Sequence, residues 1–128
     1  MALDFARNNV KPVNRVRFAW WAAEELGLQG STYYVNHLAQ TNLTELENIA
    51  LNVNYDMLGS PNFFRGIYNG TEAAEAIKPQ CETIMNLYIE FFISNNITWS
   101  LTAFTGRSDY GPFLEVFSPF FFPLEQLY

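Results

Sequence analysis

The stretch "VRFAWWAAEELGLQGSTYYV", Val16 to Val35, decides how the rest of the chain is read. It opens as an apolar run holding Trp20 and Trp21, then meets two adjacent carboxylates, Glu24 and Glu25. "RVRFAWWAA", Arg15 to Ala23, is short, rich in β-branched and aromatic residues and bounded by turn signals, which predicts a buried strand. "GSTYYVNHLA" behind it predicts a helix, started by Gly30 or Ser31, with Tyr34, His37 and Leu38 on one face. The carboxylates therefore stand where a strand ends and a helix begins.

The same reading extends along the chain. Thr44 followed by Glu47 has capping-box spacing at a short helix start. Ile49 to Gly59 predicts a second strand, with Leu51, Val53 and Tyr55 alternating with Asn52, Asn54 and Asp56. Phe63 to Asn69 predicts a third strand, paired with the second or near it. Proline disrupts a helix interior but suits a first turn, so the long helical pattern should run from about Pro79 to Ser94. Its apolar face holds Ile84, Leu87, Tyr88, Phe91 and Phe92. "ITWSLTAF" predicts a fourth strand, and "GRSDYGPFLEV" a turn followed by a short helix. Trp20 and Trp21 read as core or sheet-face residues, and Phe91, Phe92, Phe104 and Phe113 as core. Alternating strands and helices predict an α/β fold, a sheet with helices on both faces. The tail "FSPFFFPLEQLY" follows neither period, and Pro119 and Pro123 oppose a central strand.

Composition narrows the classes. A chain of 128 residues implies one domain. Hydrophobic residues make up 49% against 16% charged, which excludes disorder and implies a large core. A net charge of −6 argues against a nucleic-acid partner, which favours a basic patch. Cys81, the single cysteine, cannot form an internal disulfide and reads as a buried structural thiol. No apolar run reaches the roughly 18 residues of a membrane span. The N-terminus "MALDFARNNVKPVNR" lacks the basic-then-apolar order of a signal peptide. Sequons at Asn42-Leu43-Thr44, Asn69-Gly70-Thr71 and Asn96-Ile97-Thr98 lean towards a secretory parent. Gly27 and Gly30 form a turn and not a phosphate loop, since no GxGxxG or Walker pattern is present. Ser31 and Ser108 have no neighbouring histidine in sequence, so a serine-hydrolase triad is not supported.

Ligands of open α/β sheets bind outside the carboxyl ends of the strands. This chain sets Glu24 and Glu25 at one such end and Asp56 at another. Converging carboxylates repel unless something cancels their charge, and a divalent cation does so. One carboxylate then holds the metal while its neighbour takes a proton from bound water. Alternatively, Glu24 and Glu25 open a helix, where acids suit the macrodipole.

Three segments occur in order and at matching spacing: "VRFAWWAAEELGLQGSTYYV", "NVNYDMLGSPN" and "TAFTGRSDYGPF". Together they resemble the zinc-dependent aminopeptidases of metallopeptidase family twenty-eight, the leucyl-aminopeptidase-like exopeptidases. The resemblance covers about residues 10–116, with 117–128 a divergent tail, so the chain reads as a single partial peptidase domain over 1–128. It implies a partial three-layer α/β sandwich with a central mixed sheet. It also implies two zinc ions about 3.5–4 Å apart.

The resemblance further implies that Glu24 is the general base, Glu25 and Asp56 are zinc ligands, and Arg107 stands at the substrate end of the cleft. Asp109 fixes its loop. The same resemblance implies that the substrate is the free N-terminus of a peptide and that the parent protein is secreted. The family pattern also requires a histidine and a bridging aspartate upstream, and a further histidine downstream. His37, the only histidine, matches none of these positions. The chain is accordingly expected to be an incomplete enzyme that self-associates through exposed sheet edges. The competing expectation is a noncatalytic α/β module for binding or assembly.

Overall fold

The computed structural model describes residues 2–117. The elements are α1 (Ala2–Arg7), α2 (Gln29–Thr41), α3 (Leu43–Glu47), β1 (Gly66–Tyr68), α4 (Lys78–Ser94), β2 (Ser100–Thr102) and α5 (Gly111–Phe117). Short 3₁₀ turns occupy Glu24–Leu26 and Gly70–Glu72. The tail and its prolines lie outside the described residues.

The expected α/β sandwich with a central mixed sheet is not what forms. The fold is mostly helical, and its sheet is a small open pair, β1 beside β2. The pair is parallel, with Ile67 opposite Leu101. A parallel pair needs a long crossover, and α4 with its 17 residues supplies it. The third predicted strand thus survives only at 66–68 and pairs with the fourth rather than the second.

Arg15–Ala23 and Ile49–Gly59 form no strand ladder. Trp20, Leu51, Val53, Met57 and Leu58 stay exposed, while the rings of Phe18, Trp21 and Tyr55 pack on helices and neighbouring rings instead. Phe18 meets Phe5 of α1 edge-on at 5.5 Å. Trp21 lies 5.1 Å from Tyr34 of α2 and 5.9 Å from Phe113 of α5. Tyr55 meets Tyr88 of α4, with their hydroxyls 2.7 Å apart. β-propensity measures fit to a pleated, half-buried surface, and these residues find their surface on helices.

Two packed regions result. α2 packs on α3 and α5, burying Val35, Leu38, Leu46 and Phe113. α4 packs on β1 and the 70–72 turn, burying Ile67, Ala73, Ile77 and Met85. A cleft of about 740 Å³ separates segment 50–65 from α4 and α5, lined by Leu51, Val53, Tyr55, Ile84 and Tyr88. The predicted core is corrected at its edges: Trp20 is 80% exposed and Phe91 56% exposed, because no sheet face covers them. Cys81 is half-buried, and its burial raises the thiol pKa, consistent with a structural role.

Helix ends are set by caps. The expected Thr44–Glu47 box does not form at α3. Asn42 caps it instead, its side chain accepting a hydrogen bond from the Glu45 amide at 3.1 Å. Arg15 and Arg17 pair with Glu45, tying the N-terminal segment to α3. α4 starts at Lys78, one residue before Pro79, as the sequence leads one to expect. It ends in a Schellman turn: the Ile97 amide donates to the Phe92 carbonyl at 2.8 Å, and that of Asn96 to Ile93 at 3.1 Å. Glu72 joins the two strand ends, accepting from the Phe104 amide and from Asn69 Nδ2, both at 2.9 Å. These donors hold its carboxyl below the usual range.

Candidate functional site

The carboxylate pair sits in a tightly folded turn. Ala23 (φ 57°) and Leu28 (φ 55°) are both left-handed and flank Glu24–Leu26. A side chain there costs about 1–2 kcal/mol of backbone strain. Gly27, at φ 93°, takes the position that suits glycine. The Leu28 amide donates to the Glu24 carbonyl at 2.8 Å, and the Gly30 amide to the Ala22 carbonyl at 3.0 Å. A Cβ on Gly30 would lie 2.8 Å from the Ala22 backbone, so the turn closes only with glycine there. The expected helix start at Gly30 or Ser31 is displaced: Leu28 occupies the cap position of α2 and no side chain caps it.

Ser31 has another task. It is fully buried, and its hydroxyl donates to Asp109 Oδ1 at 2.6 Å. Asp109 is itself 9% exposed, and this bond ties its loop to α2. Beside it, Ser108 is also buried and donates to Asp56 Oδ2 at 2.8 Å. Asn54 Nδ2 donates to the same Ser108 oxygen at 2.7 Å. A hydroxyl carries one proton, so the incoming Asn54 bond directs that proton to Asp56. The Met57 amide, from a left-handed residue at φ 56°, donates to Asp56 Oδ1 at 2.7 Å. Both Asp56 oxygens are thereby oriented. Ser31 and Ser108 draw the Glu24 turn, the Asp56 turn and loop 106–110 together. The sequence offered a signal for this: a serine in each of two quoted motifs, without a histidine to serve.

Replacing Ser31 by Ala is expected to destabilise the chain by about 2 kcal/mol, because a buried carboxylate loses its donor. Urea unfolding measures this. In the double variant with Asp109→Ala the losses should fall short of additivity. A loss below about 0.5 kcal/mol for Ser31→Ala, typical of a surface change, would contradict the clamp.

Glu24 is half-buried, whereas Glu25, Asp56 and Arg107 are exposed. Desolvation, then the charges of Glu25, Asp56 and Asp109, raise the Glu24 pKa. These four carboxylates are thus within electrostatic reach of one another. Arg107 does not join them, and no hydrogen bond or ion pair engages it among the described residues. Tyr68, on the cleft wall, has its hydroxyl pKa raised by burial, then by Tyr110 and Asp56.

The donor set does not make a complete zinc site. Among the described residues, no three His, Cys, Asp or Glu side chains gather in a way that could hold a metal ion. His37 is exposed and stacks on Tyr33 at 5.6 Å. Cys81 lies against Gly70 at the crossover. A catalytic zinc takes three protein ligands.

The family model described as Peptidase family M28 matches residues 1–122. Leucine aminopeptidase 2 of Trichophyton rubrum is 45% identical over 117 residues, covering 90% of this chain and 23% of the relative. Aminopeptidase Y of Saccharomyces cerevisiae is 42% identical over 104 residues, covering 79% and 18%. Probable leucine aminopeptidase 2 of Aspergillus oryzae is 43% identical over 103 residues, covering 79% and 20%. The chain thus spans about a fifth of the length of the curated relatives it matches. No solved structure matches.

Proposed function

The chain belongs to peptidase family M28, and on that premise we propose that it carries one part of the catalytic apparatus of a zinc aminopeptidase. The activity is removal of N-terminal residues from peptides. Glu24 is the general base, which accepts a proton from the water that attacks the peptide carbonyl. Glu25 and Asp56 supply two metal ligands, short of the three that a catalytic zinc takes. Arg107 faces the substrate end. The single observation that carries this reading is the clamp Asn54–Ser108–Asp56, which orients a carboxylate within electrostatic reach of Glu24.

The backbone strain at Ala23, Leu28 and Met57 supports it, since strained residues cluster where geometry matters for chemistry. The parent's secretion belongs to the same reading, supported by the sequons. Among the described residues no helix is long and apolar enough to cross a membrane. Self-association is supported by the exposed Phe63, Phe64 and Trp20. The second reading, a noncatalytic binding or assembly module, is favoured by the incomplete donor set.

A chimera decides between them. The matched 117 residues of the Trichophyton rubrum relative are replaced by those of this chain. Hydrolysis of leucyl-p-nitroanilide within about tenfold of the parent enzyme is expected. A folded, zinc-loaded chimera without activity would support the noncatalytic module instead.

A further inference from the structure

The three sequons differ in what their side chains already do. Asn42 is the cap of α3, its Oδ1 accepting from the Glu45 amide, and Leu43 and Thr44 lie within that helix. Asn69 caps the 70–72 turn. Its Oδ1 accepts from Thr71 Oγ1 at 2.8 Å, and its Nδ2 donates to Glu72 Oε1 at 2.9 Å. Gly70 between them is buried, with the Cys81 backbone 2.5 Å from where a Cβ would sit. A sugar on Asn69 Nδ2 would compete with Glu72 for the atom that holds the turn. At Asn42 and Asn69, helix and turn capping explains the asparagine.

Asn96 is different. Its φ of 53° places it in the left-handed position of the Schellman turn after α4. That position uses only its backbone. The side chains of Asn96 and Thr98 are exposed and make no hydrogen bond among the described residues. Ile97 and Thr98 lie in irregular chain before β2.

We propose that Asn96 is an N-glycan acceptor and that Asn69, although it carries the same motif, is not one. The donor is a dolichyl-diphosphate-linked oligosaccharide. Asn96 Nδ2 bonds to C1 of the first sugar. The C1–O bond breaks, dolichyl diphosphate leaves with the electron pair, and the amide proton passes to solvent. The proposal rests on the secretory part of the reading above. Its test supplies that route directly, so its failure leaves the peptidase assignment untouched.

The full chain is expressed in yeast behind a cleavable secretory leader, and its gel mobility is compared before and after endoglycosidase treatment. A mobility shift is expected. Thr98→Ala should abolish the component due to Asn96 without touching the Schellman turn, and Thr98→Ser should restore it. Thr71→Ala should leave the pattern unchanged. Peptide mapping by mass spectrometry identifies the modified asparagine. A secreted chain unmodified at Asn96, or one carrying sugar at Asn69, would overturn the proposal.

Discussion

Glu24→Gln in the chimeric aminopeptidase is expected to lower kcat by about 10²- to 10⁴-fold while KM stays nearly unchanged. Glutamine keeps the shape and the hydrogen-bonding reach of the side chain but cannot accept the proton of an attacking water. The loss should therefore appear in the chemical step and not in substrate binding. The turn itself should survive, because its closing bonds run through the Glu24 carbonyl and the Ala22 carbonyl, not the carboxylate. Circular dichroism and Tm checks on the variant should match the parent chimera. Steady-state kinetics with leucyl-p-nitroanilide give the split. A kcat within threefold of the parent would remove Glu24 from the role of base. Arg107→Ala, at the substrate end in the proposed reading, should instead raise KM.

Gly111→Ala is expected to cost about 3 kcal/mol or more of stability. A Cβ there would lie 2.3 Å from the Gly106 carbonyl oxygen, and neither partner is a flexible side chain. The loop must open, and it carries Ser108 and Asp109, which reach Asp56 and Ser31. Gly59→Ala is the informative control. Gly59 has φ 82° and nothing within 4 Å, so a Cβ there meets strain without collision. Its cost should be about 1 kcal/mol. Urea titration of both variants compares them. Equal losses would mean that loop 106–111 is not packed as described. A typical domain holds only about 5–15 kcal/mol in total, so Gly111→Ala should be visible even as poor expression.

What was legible in the sequence follows physical scale. Local rules worked where the cause was local. Proline at a helix start and a long apolar period gave α4 within one residue of its start. The Glu-Glu turn with its glycines, the Asp56 segment and the "GRSDYGPF" loop were all picked out, and the fold ties them together through two buried serines. The sheet departs from the expectation because a strand is defined by its partner. Arg15–Ala23 has the composition of a strand, yet Trp21 packs on Tyr34 and Phe113 and makes no ladder. Alternation at Leu51, Val53 and Tyr55 likewise became one wall of a cleft. The cap of α3 fell to Asn42, whose side chain accepts from the Glu45 amide, because the helix starts at Leu43 and already contains Thr44. The tail's unusual phenylalanines lie outside the described residues. The role of Ser108 has no local signature, since it depends on Asn54 and Asp56, both more than 50 residues away in sequence.

On the proposed reading this chain presents a base and two ligands, and its described residues hold no complete zinc site. Equilibrium dialysis of the purified chain against zinc, followed by elemental analysis, tests it most directly. The expected result is no stoichiometric zinc and no hydrolysis of leucyl-p-nitroanilide by the chain alone. Retention of about two zinc ions per chain, together with hydrolysis, would contradict it.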